Sequence, residues 1–309
     1  MSGGTAEVAV AGHICLDIFP TFVDERTRAN VLTPGTLVHV GPASFAPGGA
    51  VANTGFALHR LGIPTRLLGK VGDDLFGRAL LDLVRASDES LTRGMLVAPG
   101  ETSSYSVVIS PPGVDRIFLH HPGANDTFGA EDIGLEQVGH ARLFHFGYPP
   151  LMRRIYQDGG VSFATLLRDL KAHGVITSLD MALPDPASEA GGVDWESWLA
   201  TVLPFVDLFV PSVDEIAFML GRRLPHNGKQ IDGPRLSELA ALLLQFGTPI
   251  VVLKLGDAGL YMRTTCDEQR LREIGAGLPR NMHAWHHREL LTPCFQVQPV
   301  GTTGAGDCT

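Results

Sequence analysis

The chain has 309 residues, 44% of them hydrophobic and 36 of them glycine, enough apolar material for one large α/β domain or two smaller ones. With 24 basic against 33 acidic side chains its formal charge is −9, which argues against wrapping nucleic acid or lying on an anionic membrane. A nucleotide site stays open, because phosphates are held by local amides and helix dipoles.

In chain order, Glu7 to Ile18 reads as one opening strand, apolar and interrupted by Gly12, followed by a less regular stretch from Pro20 to Pro47. The pair Gly48-Gly49 opens a helix over Ala50 to Leu61 that Gly62 and Pro64 end. A strand (Thr65 to Val71), a loop (Gly72-Asp73-Asp74) and a helix (Leu75 to Ala86) come next. Met95 to His121 breaks the pattern. Ser103 to Ser110 and Arg116 to His120 are β-rich runs separated by Pro111-Pro112-Gly113, a hairpin expected to be an appendage to the main sheet.

From Ala141 onward strands and helices alternate: Leu143 to Phe146, Ile176 to Met181, Asp207 to Pro211 and Pro249 to Leu255 as strands. Between them lie a helical face of Phe163, Leu166, Leu167 and Leu170, a helix over Trp195 to Phe205, and a helical face through Leu236, Leu239, Ala240, Leu243 and Leu244. The alternation predicts a doubly wound, mainly parallel sheet with helices on both faces and ligands at the carboxyl ends of its strands. The polar segment Cys266 to Pro293 reads as a surface insertion, and its His283, His286 and His287, without matched cysteines or carboxylates, as solvated rather than metal-binding. The four cysteines, Cys15, Cys266, Cys294 and Cys308, form no C-x-x-C pair and fit a reduced, cytoplasmic setting. The start Met1 to Glu7 lacks the regions of a secretory signal, and no apolar run approaches the roughly 18 residues of a membrane span.

Two segments carry chemistry. Gly301-Thr302-Thr303-Gly304-Ala305-Gly306-Asp307 follows an apparent strand, Cys294 to Val300. If a helix begins there, the amides of Gly304, Ala305 and Gly306 form an anion site. Asp307 at its edge could then take a proton from an attacking hydroxyl. By spacing alone, a glycine-rich turn with Asp307 as an ordinary cap reads equally well. In the second segment, Gly48-Gly49-Ala50-Val51-Ala52-Asn53, the glycines admit a ligand to the backbone. Asn53, one turn in, offers donor and acceptors to hydroxyl groups, as does Asp17 at the end of the first strand. Alone, this segment is more often an ordinary helix start. Asp180 either lines the cleft or forms the turn before Pro184, and His120-His121 reads as a strand-end pair.

Together the two segments resemble the signatures of the ribokinase-like, phosphofructokinase-B family of carbohydrate kinases. The landmarks between them are similar too: Lys70 to Gly77, Gly123-Ala124-Asn125, Pro211 to Gly221 and Leu253 to Gly259. The resemblance covers nearly the whole chain. It implies one ribokinase-like domain over residues 1–309, with a small β lid drawn from about 17–47 and 96–121. It implies transfer of the ATP γ-phosphoryl group, with Mg²⁺, to a hydroxyl of a small sugar. By match, Asp307 is the general base and Gly304, Ala305 and Gly306 the anion hole. Asp17, Gly48, Gly49, Asn53 and Asn125 bind the sugar, Lys254, Gly256, Thr302 and Thr303 the nucleotide, and Glu215 the metal through water. Lid-to-lid homodimers are common in similar proteins; no nucleic-acid or membrane partner is implied.

Three departures stand out. Ser212 replaces the family's asparagine three residues before Glu215. Gly301 replaces an aspartate that in many relatives helps bind a monovalent cation, so dependence on potassium does not carry over. The chain stops at Thr309, short of the helix that should follow Asp307, so this polypeptide is expected to be weak or inactive as a kinase and a longer parent active. Competing readings are a nucleoside kinase of the same fold, which only 4 Tyr and 3 Trp disfavour, and a sugar- or nucleotide-binding regulator without catalysis. A dinucleotide-dependent dehydrogenase lacks its G-x-G-x-x-G after the first strand.

Overall fold

The computed structural model describes residues 7–22, 33–111, 116–222, 226–227, 230–275, 281–295 and 304–308. Its strands are β1 (Val8–Gly12), β2 (Cys15–Pro20), β3 (Ala43–Gly48), β4 (Thr65–Gly72), β5 (Met95–Ala98), β6 (Tyr105–Ile109), β7 (Ile117–His121), β8 (Leu143–Gly147) and β9 (Ile176–Asp180), then β10 (Leu208–Phe209), β11 (His226–Asn227), β12 (Gln230–Ile231), β13 (Ile250–Lys254), β14 (Leu260–Thr264) and β15 (Glu289–Thr292). The helices are α1 (Gly49–Arg60), α2 (Leu75–Ser87), α3 (Leu135–Val138), α4 (Arg153–Tyr156), α5 (Val161–Ala172), α6 (Trp195–Val202), α7 (Val213–Met219), α8 (Gly233–Gln245) and α9 (Glu268–Arg272).

Nine strands form one sheet in the order β15-β14-β13-β10-β9-β8-β1-β4-β5, and all but β14 run in the same direction. Successive residues of β1 face opposite cores, as the period of two requires. Ala9 and Ala11 join Phe144, Phe146, Phe163, Trp198 and Leu199 on the α5–α6 side, while Val10 joins Val51, Leu67, Leu80 and Val84 on the α1–α2 side. Both sheet faces are therefore dry, and the strands can be apolar throughout. Among the described residues no helix is long and apolar enough to cross a membrane.

A separate sheet, β3-β2-β6-β7, sits over the carboxyl ends of the large one. Its presence corrects the reading of Glu7 to Ile18 as a single strand. The chain leaves the large sheet at Gly12 and enters the small one at Cys15, although the apolar pattern runs straight through. Gly12 permits the break: its φ is +125°, and a Cβ there would lie 2.2 Å from the Gly147 carbonyl oxygen. Only glycine allows both that backbone conformation and that approach.

Four other expectations are corrected. The irregular stretch before Pro47 contains β3, which pairs antiparallel with β2. Met95–Ala98 is no part of the appendage but the edge strand β5, parallel to β4; the hairpin proper is β6 and β7. The segment Cys266 to Pro293 is more than an insertion. It supplies β15 at the sheet edge and α9, whose Leu271 is buried and whose Arg270 joins Lys171 in clasping the buried Asp207. The helix from Trp195 stops at Val202, since Pro204 cannot continue its hydrogen bonds, and passes into a 3₁₀ turn. The expected strand Cys294 to Val300 lies mostly outside the described residues.

Gly12→Ala tests the junction. The substitution should lower unfolding free energy by roughly 3 kcal/mol, seen as a lower urea midpoint at unchanged slope. An unaltered midpoint would mean the break between the sheets does not depend on this contact.

Candidate active site at the strand ends

β1, β8 and β9 end level with one another: Gly12 pairs with Gly147, and Gly147 with Asp180. Tyr148 follows Gly147 and donates its backbone N–H to the Asp180 carbonyl at 3.3 Å. Two strands across from β9, Lys254 ends β13 and donates its N–H to the Pro211 carbonyl, just before α7. The parallel strands thus bring Asp180, Tyr148 and Lys254 to one rim, with the start of α1 beside them.

Onto this rim the chain returns residues 304–308 as a turn, with the Cys308 N–H bonded to the Gly304 carbonyl. Asp307 is held through both carboxylate oxygens. The Asn53 amide donates to one at 2.9 Å and the Tyr148 hydroxyl to the other at 2.6 Å. The Thr54 hydroxyl bonds its carbonyl at 3.1 Å. A Cβ on Gly304 would lie 3.0 Å from the Asn53 side chain, and one on Gly306 3.7 Å from Lys254 Nζ. The segments singled out from opposite ends of the sequence therefore meet.

Tyr148 went unnoticed in the sequence. Its backbone is left-handed (φ 71°, ψ 46°), a conformation that costs of order 1–3 kcal/mol for a side chain of this size and persists only where the surroundings impose it. Burial, then the Asp307 charge, pushes its hydroxyl well above the usual phenol range, so it stays a donor. The one signal available was a bulky residue wedged between a strand-ending glycine and Pro149-Pro150.

Lys254 Nζ lies 2.7 Å from both oxygens of Asp180, a side chain that is only 1% exposed with its residue. Its Oδ1 also accepts the Met181 N–H at 2.8 Å, so the side chain serves both Lys254 and the local turn. Burial, with the charges of Glu215 and Asp307, raises its carboxyl to about 8 against the pull of Lys254. Glu215 is raised for the same reasons. It also closes a capping box with Ser212, taking the Ser212 N–H at 2.7 Å while the serine hydroxyl receives the Glu215 N–H at 3.3 Å. Ser212 therefore spends its hydroxyl on starting α7.

Asp17 sits in β2 of the small sheet, 7% exposed, beside Cys15 and Ser106. Burial raises its carboxyl. A Cβ on Gly48 would lie 2.2 Å from its Oδ2, so glycine is needed for that carboxylate to rest against the α1 entry. Gly49, at φ +85°, makes the same room for His13. Asn125 is fully buried; its amide oxygen receives the Ile14 N–H and its amide nitrogen donates to the Ile14 carbonyl, which ties down the crossing between the sheets. Gly256 lies in the turn after β13; Gly301, Thr302 and Thr303 lie outside the described residues.

A family model described as pfkB family carbohydrate kinase matches residues 5–309. Among curated proteins the chain is similar to Fructokinase-1 of Zea mays, 26% identical over 99% of this chain and 81% of that protein. Among solved structures it resembles a fructokinase with bound ATP from Xylella fastidiosa (TM-score 0.69, 19% identity, 98% of this chain and 78% of that one). It also resembles the Arabidopsis thaliana ribokinase complexed with ribose and ATP (TM-score 0.66, 19% identity, 99% of this chain and 83% of that one).

The raised Asp180 carboxyl has a consequence for stability. Between the ordinary carboxylate range and about 8 the folded chain holds a proton that the unfolded chain has released, so stability falls as pH rises through that interval. His13, His120 and His145, all lowered by burial, act in the opposite sense, but only below the usual imidazole value of 6.5. From pH 6.5 to 8 the unfolding free energy should therefore decline by on the order of 1 kcal/mol. Asp180→Asn should flatten that decline in urea titrations; an equal decline in the variant would assign it elsewhere.

Proposed function

The chain belongs to the pfkB family of carbohydrate kinases, and from that premise we propose that it transfers the γ-phosphoryl group of ATP to a hydroxyl of a small sugar, with Asp307 as general base. The observation that carries this reading is the Asp307 carboxylate, oriented by Asn53 and Tyr148 at the carboxyl edge of a parallel sheet, where such folds bind their ligands.

The sugar lies between α1 and the small sheet, which acts as its lid. Asp17 and Asn53 hold hydroxyls, and the bare backbones of Gly48 and Gly49 allow close approach. The reacting hydroxyl loses its proton to Asp307 as its oxygen bonds the γ-phosphorus. The bond to the bridging oxygen breaks and ADP departs. The Gly304–Gly306 backbone and the nearby Lys254 ammonium offset charge on the transferring group. Lys254, Gly256 and the loop bearing Thr302 and Thr303 take the nucleotide. Closing the small sheet excludes water and protects ATP from hydrolysis.

The chemistry of the rim suits a divalent cation: burial and neighbouring carboxylates oppose ionisation of Asp180 and Glu215, against the pull of the Lys254 ammonium. Glu215 would hold Mg²⁺ through water, and the ion supplies charge neutralisation to the ATP phosphates. Fructose is the first sugar to try, given the similarity to fructokinases.

ADP release by the full-length chain, measured across sugars and nucleosides, tests the reading. It should depend on one sugar and fall about a hundredfold or more in Asp307→Asn. Sugar binding without turnover would favour a regulator; turnover of a nucleoside alone would favour a nucleoside kinase.

A further inference from the structure

His13 sits where the chain passes from the large sheet to the small one, and its backbone is pinned on both sides. Its N–H donates to the Gly147 carbonyl at 3.1 Å, and its carbonyl receives the Val51 N–H from the first turn of α1 at 3.1 Å. The residue is only 2% exposed, yet neither ring nitrogen has a hydrogen-bond partner. No other imidazole among the described residues has both nitrogens buried and unpartnered. Such a group costs free energy, and native structures rarely leave one without a purpose.

The neighbours locate the vacancy in bonding. A Cβ on Gly49 would lie 2.5 Å from His13 Nδ1, so the ring rests on the glycine entry to α1. The Tyr148 ring is 5.9 Å away, and its hydroxyl holds Asp307. On the other side the His120 ring of β7 is 5.1 Å away, itself bonded to Ser106 at 3.0 Å next to Asp17. His13 thus stands between Tyr148, which holds Asp307, and His120, which bonds Ser106 beside Asp17.

The geometry points to His13 as a specificity-determining residue that pairs both ring nitrogens with hydroxyl groups of the substrate; this rests on the sugar-kinase reading above. Burial and the neighbouring His120 keep the ring neutral, so it offers one donor and one acceptor. A hydroxyl satisfies either, whereas a carboxylate or phosphate would leave the acceptor nitrogen facing negative charge. The class of ligand selected here is a neutral polyol. Rings 5.1 Å apart leave no room for an oxygen between them. A hydroxyl on that side therefore requires the His120 ring to shift.

Two variants test this in the full-length chain. His13→Phe keeps a ring and removes both nitrogens; His13→Asn keeps a donor and an acceptor. For whichever sugar the wild type phosphorylates, His13→Phe should raise the sugar KM about tenfold or more while the ATP KM stays within about twofold, with partial recovery in His13→Asn. Without sugar, His13→Phe should melt no lower than wild type, since no bond is lost, but the rise in melting temperature on adding sugar should shrink. An unchanged sugar KM with an unchanged sugar-induced rise would overturn the assignment and leave the kinase standing. A wild-type chain that phosphorylates no sugar would overturn the kinase reading, and this assignment with it.

Discussion

The carboxylate of Asp307 is held at two points, by the Asn53 amide through one oxygen and the Tyr148 hydroxyl through the other. Those donors come from the first turns of α1 and from the residue after β8, elements that meet only because Gly12 lets β1 end against Gly147. Over 304–308 that pair of bonds is joined by the Thr54 hydroxyl on the Asp307 carbonyl and by the Cys308 thiol on the Asn53 carbonyl. Much else on the rim serves this junction: the left-handed backbone of Tyr148 aims its hydroxyl, and the paired glycines at 48 and 49 bring α1 close enough for Asn53 to reach.

The same rim gathers carboxyl groups near the Lys254 ammonium: burial and the Asp307 charge oppose ionisation of Asp180 and Glu215, while Lys254 favours it. A stability-driven design would replace such a group with apolar side chains. Its retention is the usual mark of a site that awaits charged ligands, and it agrees with the family to which the chain belongs. By contrast the carboxylate of Asp207, clasped by Lys171 and Arg270 and by the Thr177 backbone, is fully compensated and ties helices to the sheet.

How far the sequence revealed this depended on distance along the chain. Gly48, Gly49 and Asn53, and Gly304 to Asp307, stood out only in combination, since each segment alone reads as well or better as an ordinary helix start or glycine-rich turn. The doubly wound sheet was legible from alternating apolar runs. The break between β1 and β2 was not, since Ile14, Cys15 and Leu16 continue the apolar pattern on the far side of Gly12. Nor was β5, four residues pressed against a polar hairpin. Asp180 could be placed at a strand end but not assigned a partner, because Lys254 is 74 residues away. His13 and Tyr148 acquire meaning only from register: residues 13, 49, 120 and 148 converge through three strands and a helix, and no local pattern records that.

On the proposed reading Tyr148 and Asn53 act through Asp307, and kcat/KM for Tyr148→Phe tests this in two backgrounds, Asp307 intact and Asp307→Asn. With Asp307 intact the loss of one orienting hydrogen bond should cost about tenfold. In the Asp307→Asn background the same substitution should cost less than about twofold, since the group it orients is already gone. An equal loss in both backgrounds would show that Tyr148 works independently of Asp307 and would contradict the account.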